Sequence, residues 1–200
     1  MRLAVPLLLS SFAAVSVFGQ FPMPDPTIPI DGDEQVKWAI YSTAGPDSLI
    51  SGLFSAGWGT LVDEPREYGT HWLGFGKRYG MRLTGIATSN AMEAGLGEIS
   101  RQDPRYRRAP DGEPVARRFG HVFKMTFMAE NREGDVVPAF ARYFAITGSN
   151  FLSNTWRPDS EANTSHAITR IGLGFLGRFT SNAFDEFWPD LRDHVFHFGR

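Results

Sequence analysis

The chain has 200 residues, of which 42% are hydrophobic and 21% charged, and it contains no cysteine. This composition is typical of one globular domain, and the lack of cysteine excludes a disulfide scaffold, a thiolate metal site and a cysteine nucleophile. Twenty lysine and arginine residues stand against 22 acidic ones, which gives a net charge of -2. Because proteins that bind nucleic acids generally carry a basic excess, we expect no nucleic acid among the partners.

The start of the chain has the pattern of an export signal. Arg2 precedes an apolar run over residues 3–17, and Gly19 follows shortly after it. A membrane-spanning helix needs ~20 apolar residues, so this shorter run predicts a signal peptide over residues 1–19 that is removed on export. We therefore expect an exported protein, periplasmic or associated with the outer membrane.

A proline-rich stretch follows the predicted signal peptide. Proline at every second or third position prevents helix formation and favours an extended chain; the prolines are Pro22, Pro24, Pro26 and Pro29. The sequence thus predicts a linker over residues 20–31 and a single helical domain over residues 32–200.

Five long apolar segments, separated by breaks rich in charge and proline, predict an all-α fold. They cover residues 47–62, 70–100, 114–129, 136–155 and 164–187, lengths that suit helices and exceed those of strands. Small residues recur at intervals of four in four of the segments, and such a row forms a flat strip that lets another helix approach closely. The rows are Ser51, Ser55 and Gly59; Ala87, Ala91 and Gly95; Ala141, Ala145, Ser149 and Ser153; and Gly177 and Ser181. We expect about five small-residue-rich helices packed as a bundle.

An eight-stranded outer-membrane β-barrel is the alternative fold, because export, abundant glycine and many aromatic residues suit one. Its best hairpin would join Val122–Ala129 to Val136–Ala145 through a turn at residues 131–134. Barrel strands need alternating hydrophobicity over ~10 residues, and this alternation fails over residues 49–62 and 172–187. Helices are therefore favoured, and the barrel remains the alternative.

Familiar catalytic motifs are missing from the sequence. It has no Gly-x-Ser-x-Gly elbow, no phosphate-binding glycine loop and no His-Glu-x-x-His pair, so we predict neither a metal site nor a cofactor. The enzyme alternative is a hydrolase or lyase that uses a carboxylate as base beside a histidine. Its candidate catalytic residues are Glu93, Glu98, Asp103 and His121.

Charged residues inside apolar segments indicate buried ion pairs. Arg142 stands among Phe140, Ala141, Tyr143 and Phe144, so it needs a carboxylate partner, because an unpaired buried charge is costly. We predict that Glu93 is this partner.

Three loop motifs each combine an aromatic residue, a proline and an aspartate, and they cover residues 102–106, 154–159 and 187–190. Proline ends a helix, aspartate caps the turn that follows, and the aromatic ring covers the edge of the core. A functional interpretation has the motifs converge on a ligand. The candidate ligand-binding residues, Arg142 included, are Arg105, Tyr106, Arg142, Asn154, Trp156 and Asp159.

These motifs carry a resemblance. The blocks Asp103-Pro104-Arg105-Tyr106, Arg117 to His121, Asn154 to Asp159, and Phe187-Trp188-Pro189-Asp190 resemble the recurring blocks of a group of uncharacterised exported bacterial proteins. The resemblance covers residues 64–190. An acidic residue often precedes the aspartate of the first block in those proteins, whereas Gln102 stands here. The resemblance implies a helical envelope protein and adds no catalytic residue.

The sequence as a whole favours a structural or lipid-associated helical module of the cell envelope over an enzyme. Two segments with little charge, Ser48–Val62 and Tyr143–Trp156, are too short to span a bilayer. They suit a helix that lies at a membrane surface or in a protein core. We expect lipid or other envelope proteins as partners, and the sequence does not predict an oligomeric state.

Overall fold

The computed structural model describes the backbone of residues 30–196 and the side chains of residues 30–192. The predicted signal peptide and nearly all of the predicted linker lie outside this range. The described part is mainly helical, which confirms the all-α prediction. Its α-helices are α1 (Gly32–Ala44), α2 (Pro46–Leu61), α3 (Trp72–Ser100), α4 (Val115–Phe127), α5 (Phe140–Leu152) and α6 (Thr164–Phe196).

A small antiparallel sheet lies between the helices. Its strands are β1 (Gln102–Asp103), β2 (Met128–Asn131) and β3 (Val136–Pro138), in the order β1-β2-β3. Asp103 pairs with Glu130, and Ala129 pairs with Val137. The turn predicted at residues 131–134 is present, but the strands beside it are much shorter than Val122–Ala129 and Val136–Ala145, since helices α4 and α5 occupy most of those residues.

The largest differences from the predicted helices lie at the two ends of the described range. The sequence did not predict α1, whose first turn is capped by the Asp31 side chain accepting the Glu34 N–H at 3.0 Å. The last predicted helix was wrong at its end, because α6 continues through Pro189 to Phe196. Arg118 supports this stretch by donating to the Glu186 carbonyl at 2.6 Å and to the Asp190 carboxylate.

Helix α3 lies at the centre of the bundle, in contact with α1, α2 and α5, while α6 packs on α4 and α5. The small-residue strip on α5 is confirmed: Ala141, Ala145, Ser149 and Ser153 are all buried. The rows predicted on the other helices were wrong, and their members are mostly exposed. On α2 the buried small residues are Gly52 and Ala56, and an added Cβ at Gly52 would lie 2.8 Å from the Tyr79 ring.

The interior is small and polar. Within residues 30–192, 13 hydrophobic residues are buried, and eight of these are alanine, whereas 12 polar or charged residues are buried, among them Arg78, Glu93, Asp103, Arg142 and Glu186. Large apolar side chains are exposed on every one of the helices α1–α6. This distribution reverses the usual one, in which large apolar side chains fill the core. Among residues 30–196, no helix has both the length and the apolar character needed to cross a membrane.

Candidate functional site

The centre of the bundle holds a buried carboxylate between two arginines. Glu93 on α3 accepts a hydrogen bond from Arg142 Nε on α5 at 2.9 Å through Oε1, and it accepts Arg178 Nη2 on α6 through Oε2. Glu93 and Arg142 each have only 3% of their side chain exposed. The predicted partnership of Arg142 with Glu93 is therefore confirmed, and Arg178 is a second partner that the sequence did not predict.

Arg142 also holds the end of α4. Its Nη1 donates to the carbonyls of Met125, Thr126 and Met128 at 2.8, 3.0 and 3.2 Å. These carbonyls lie at or just after the last turn, where a helix has no partners of its own. Burial lowers the pKa of Arg142 to about 10, helped by the charge of Arg178 and opposed by Glu93. Arg142 thus remains a cation at neutral pH, and one side chain connects α3, α4 and α5.

A second buried pair lies beside this cluster. Asp103 accepts Arg105 Nε at 2.9 Å and Arg105 Nη2 at 2.7 Å, and both side chains are buried. The intervening Pro104 carbonyl faces Nη2 of Arg142 and Nη1 of Arg178, each at 3.4 Å. The space between these groups is too small to admit a water molecule. A substrate or a hydrolytic water therefore has no room here, and the pairs connect elements of the fold.

A third carboxylate, Glu186 on α6, is fully buried. It accepts Arg118 Nε at 2.6 Å, the Tyr106 hydroxyl at 2.9 Å and the Ala109 N–H at 3.0 Å. Burial alone raises the pKa of Glu186, but the hydrogen bonds from Arg118, Ala109 and Tyr106 outweigh it and lower the pKa below its usual value. The carboxylate is thus charged at neutral pH and joins the first and third loop motifs.

The candidate catalytic residues do not form one site. Glu93 and Asp103 lie in the same buried cluster, but Glu98 is exposed at the end of α3 and pairs with Arg132. His121 contacts the Arg107 carbonyl through Nε2 at 2.9 Å, and its ring packs on Tyr106. Neither His121 contact involves a carboxylate, so the geometry does not support a carboxylate–histidine base.

The candidate ligand-binding residues divide between two places. Arg105, Tyr106 and Arg142 belong to the buried networks described above. Asn154 accepts Arg170 Nη2 at 2.5 Å, Asp159 is exposed, and Trp156 lines an open groove. The second loop motif therefore does not join the other two.

An aromatic face covers one side of α4, α5 and α6. Seven rings contact one another in a continuous row, with ring centres 5.3 to 6.5 Å apart. In the order of contact the residues of this aromatic face are Phe119, Phe179, Phe123, Phe127, Phe175, Tyr143 and Phe140. Sequence reasoning missed this face, although the spacing of Phe119, Phe123 and Phe127 at intervals of four was a readable signal.

No group of metal-ligating side chains is present among the described residues. No family model, no curated protein and no solved structure matches the chain.

Proposed function

We propose that the protein is a helical module of the cell envelope that associates with a lipid surface through its aromatic face. The observation that carries this proposal is the continuous row of rings on the outside of α4, α5 and α6. Phe119, Phe123, Phe140 and the neighbouring Phe144 are between 52% and 65% exposed. At roughly 200 Å² for an aromatic side chain, these four residues alone present roughly 450 Å² of apolar surface, a size at which exposed patches are often functional.

The charge of α4 supports a lipid surface as the partner. The helix contains Arg117, Arg118 and Lys124 and no acidic residue. Arg117 pairs with Glu113, and Arg118 pairs with Glu186 and Asp190, so Lys124 is the cation of α4 without an ion pair among the described residues. Helices that lie in a membrane interface combine basic residues with an apolar face of phenylalanine, tryptophan or leucine. The polar interior adds to this support, because large apolar side chains that are kept outside the core are available to an apolar surrounding.

The lack of cysteine allows a direct test with one introduced cysteine. Gly120 lies on α4 next to Phe119, and a side chain added there meets no atom within 4 Å. We expect an environment-sensitive fluorophore on Gly120→Cys to shift to the blue when phosphatidylcholine vesicles are added. The fluorophore should then be quenched by spin-labelled lipid and protected from iodide.

A label on Glu133→Cys is the matched control, since Glu133 is exposed in the polar turn between β2 and β3. It should stay accessible to iodide when vesicles are present. The proposal fails if the label at position 120 does not respond to vesicles. It also fails if that label responds only to protein concentration, because the face would then join two copies of the chain.

The aromatic side chains are tested by paired substitutions. Replacing Phe119 and Phe123 with serine should lower vesicle partitioning at least tenfold, because burial of each ring in an apolar phase is worth roughly 2 kcal/mol. Replacing both with leucine should preserve most of the partitioning. Equal binding by the serine and leucine variants would contradict the proposal.

A further inference from the structure

A groove of about 670 Å³ opens on the side of the bundle near the start of α3. Tyr68 and Trp156 line it as aromatic walls, and Gly76 and Gly80 on α3 line it with open space above their Cα atoms. Its volume lies within the range of small-molecule sites, roughly 300–1,000 Å³. The groove is thus large enough for a ligand and lies apart from the aromatic face.

Both aromatic walls carry a polar atom without a partner. The Tyr68 hydroxyl and Trp156 Nε1 are buried, and neither has a hydrogen-bond partner among the described residues. Burial, together with the charge of Glu161, raises the pKa of Tyr68, so the hydroxyl keeps its proton. Buried polar groups are rarely left unpaired, because each one costs about 1–3 kcal/mol. Two such groups in the walls of one groove indicate a ligand that supplies acceptors.

The charges of the groove define the ligand further. Arg157 donates hydrogen bonds to the Glu161 carboxylate at 2.7 Å and to the Ser153 hydroxyl at 3.2 Å. Lys77 has no ion-pair partner among the residues that the structure describes. The groove therefore offers a free cation beside two unpaired donors, which fits an anion rich in acceptor oxygens.

Helix spacing puts two exposed apolar side chains at the rim of the groove, because residues four apart share one face of a helix. Trp72 and Leu73 lie one turn before Gly76 and Lys77 on α3, and they are 86% and 65% exposed. Tryptophan and lysine are the side chains that anchor proteins at the level of lipid headgroups.

We propose that this groove binds the headgroup of an anionic phospholipid. In this proposal Lys77 pairs with the phosphate, and the Tyr68 hydroxyl and the Trp156 indole N–H, both covered by protein atoms in the empty groove, donate to its oxygens once their side chains turn towards the ligand. The acyl chains then lie over Trp72 and Leu73. The proposal rests on the lipid association proposed above but uses a separate set of residues.

A filled groove provides the first test. Gly80→Leu puts a side chain into the groove without changing charge, and Gly95→Leu is the matched control, since its position on the same helix is also open. Binding of each variant is measured to phosphatidylcholine vesicles and to vesicles that also contain phosphatidylglycerol. The ratio of the two values is the preference for phosphatidylglycerol. Gly80→Leu should lower the preference for phosphatidylglycerol at least fivefold and leave binding to phosphatidylcholine unchanged, and Gly95→Leu should change neither value. An unchanged preference in Gly80→Leu would overturn the proposal.

Removing the charge of Lys77 distinguishes a specific headgroup site from general attraction to an anionic membrane surface. One lysine near an anionic surface contributes about a fivefold preference. Lys77→Gln should remove at least that factor, whereas Lys37→Gln, which removes an exposed lysine on α1 outside both the groove and the aromatic face, should have a smaller effect. Equal losses in the two variants would show general surface attraction and overturn the headgroup site.

A soluble short-chain lipid tests binding to the groove without any association with vesicles. Dihexanoyl phosphatidylglycerol below its micelle concentration should shift the indole N–H resonance of Trp156 saturably, with Trp156→Phe used to assign the signal. Glycerol phosphate, which lacks acyl chains, should bind at least tenfold more weakly if the apolar rim takes part. No saturable shift in the original protein, or the same shift in Gly80→Leu, would reject the groove even where vesicle binding is confirmed.

Discussion

Arg142 donates from Nε to Oε1 of Glu93 over 2.9 Å, and the two side chains are each 3% exposed. The pair joins α5 to α3 at the centre of the bundle. Because Arg142 also bonds to the Met125, Thr126 and Met128 carbonyls, its loss would leave a buried helix end without donors. We expect Arg142→Met to lower the free energy of unfolding by about 3–5 kcal/mol, measured by urea denaturation.

The exposed Arg117 is the control for this change. It pairs with Glu113 on the surface, so Arg117→Met should change the free energy of unfolding by less than ~0.5 kcal/mol. Arg178 still pairs with Glu93 after Arg142→Met. In a double-mutant cycle, Glu93→Gln should therefore cost less in the Arg142→Met background than on its own, with a coupling energy of ~0.5–3 kcal/mol. A coupling energy of zero would mean that the pair does not contribute to stability.

Glu186 predicts a dependence of stability on pH. Its pKa lies below the ordinary value of 4.5 in the folded protein because hydrogen bonds to the charged form outweigh burial. The stability it provides is therefore present at neutral pH and is lost as the pH falls below about 4.5, through the folded-state pKa. We expect Glu186→Gln to be less stable than the original protein at pH 7, with the difference shrinking towards pH 3. Urea denaturation across this range provides the measurement, and parallel curves for the two proteins would contradict it.

The side-chain amide of Gln102 suits its position because it both donates and accepts a hydrogen bond there. Its Nε2 donates to the Pro138 carbonyl at 2.8 Å, and its Oε1 accepts the Ala141 N–H at 3.0 Å at the start of α5. Glutamate cannot donate when ionised and would place a second charge next to Asp103. We expect Gln102→Glu to destabilise the protein by ~1–3 kcal/mol at pH 7, with a smaller effect at pH 4. A thermal melt with no loss at pH 7 would show that the amide donor is dispensable.

Close packing of α5 is tested at Ala145, which is fully buried. Ala145→Leu should lower the free energy of unfolding by ~1–3 kcal/mol, because the added side chain overfills a tight contact. Thr147→Leu, on an exposed position of the same helix, should have little effect. Equal melting temperatures for Ala145→Leu and the original protein would place the strip outside the close contact.

The sequence predicted the features that depend on local pattern. Long apolar segments bounded by proline located five of the helices, and the isolation of Arg142 among apolar residues led to Glu93. The helix α1 was missed because its sequence places only Gln35 and Trp38 in the interior, so its apolar periodicity is weak. Pro189 was a misleading stop signal, since contacts from Arg118 support the helix on both sides of it.

Partners distant in sequence were not predictable. Tyr106 and Glu186 are 80 residues apart, and no local pattern says which of several buried carboxylates an aromatic hydroxyl meets. Asp103 was a candidate catalytic residue and Arg105 a candidate ligand-binding residue, but the two side chains neutralise each other. The groove at Tyr68 joins residues from α3 and two loops, so only the three-dimensional structure brings Tyr68 and Trp156 to one place.

The arginine-centred interior bears on how the chain responds to its surroundings. A core of large apolar side chains is stabilised by the hydrophobic effect. This stabilisation is lost where the surroundings of the protein are themselves apolar, as in lipid. Ionic hydrogen bonds, by contrast, strengthen as the local dielectric constant falls. The contacts of Arg142, Arg178 and Glu93 therefore hold equally well when one side of the bundle leaves water. A bundle with this interior can exchange contact with water for contact with an apolar phase on one side while its helix packing stays the same.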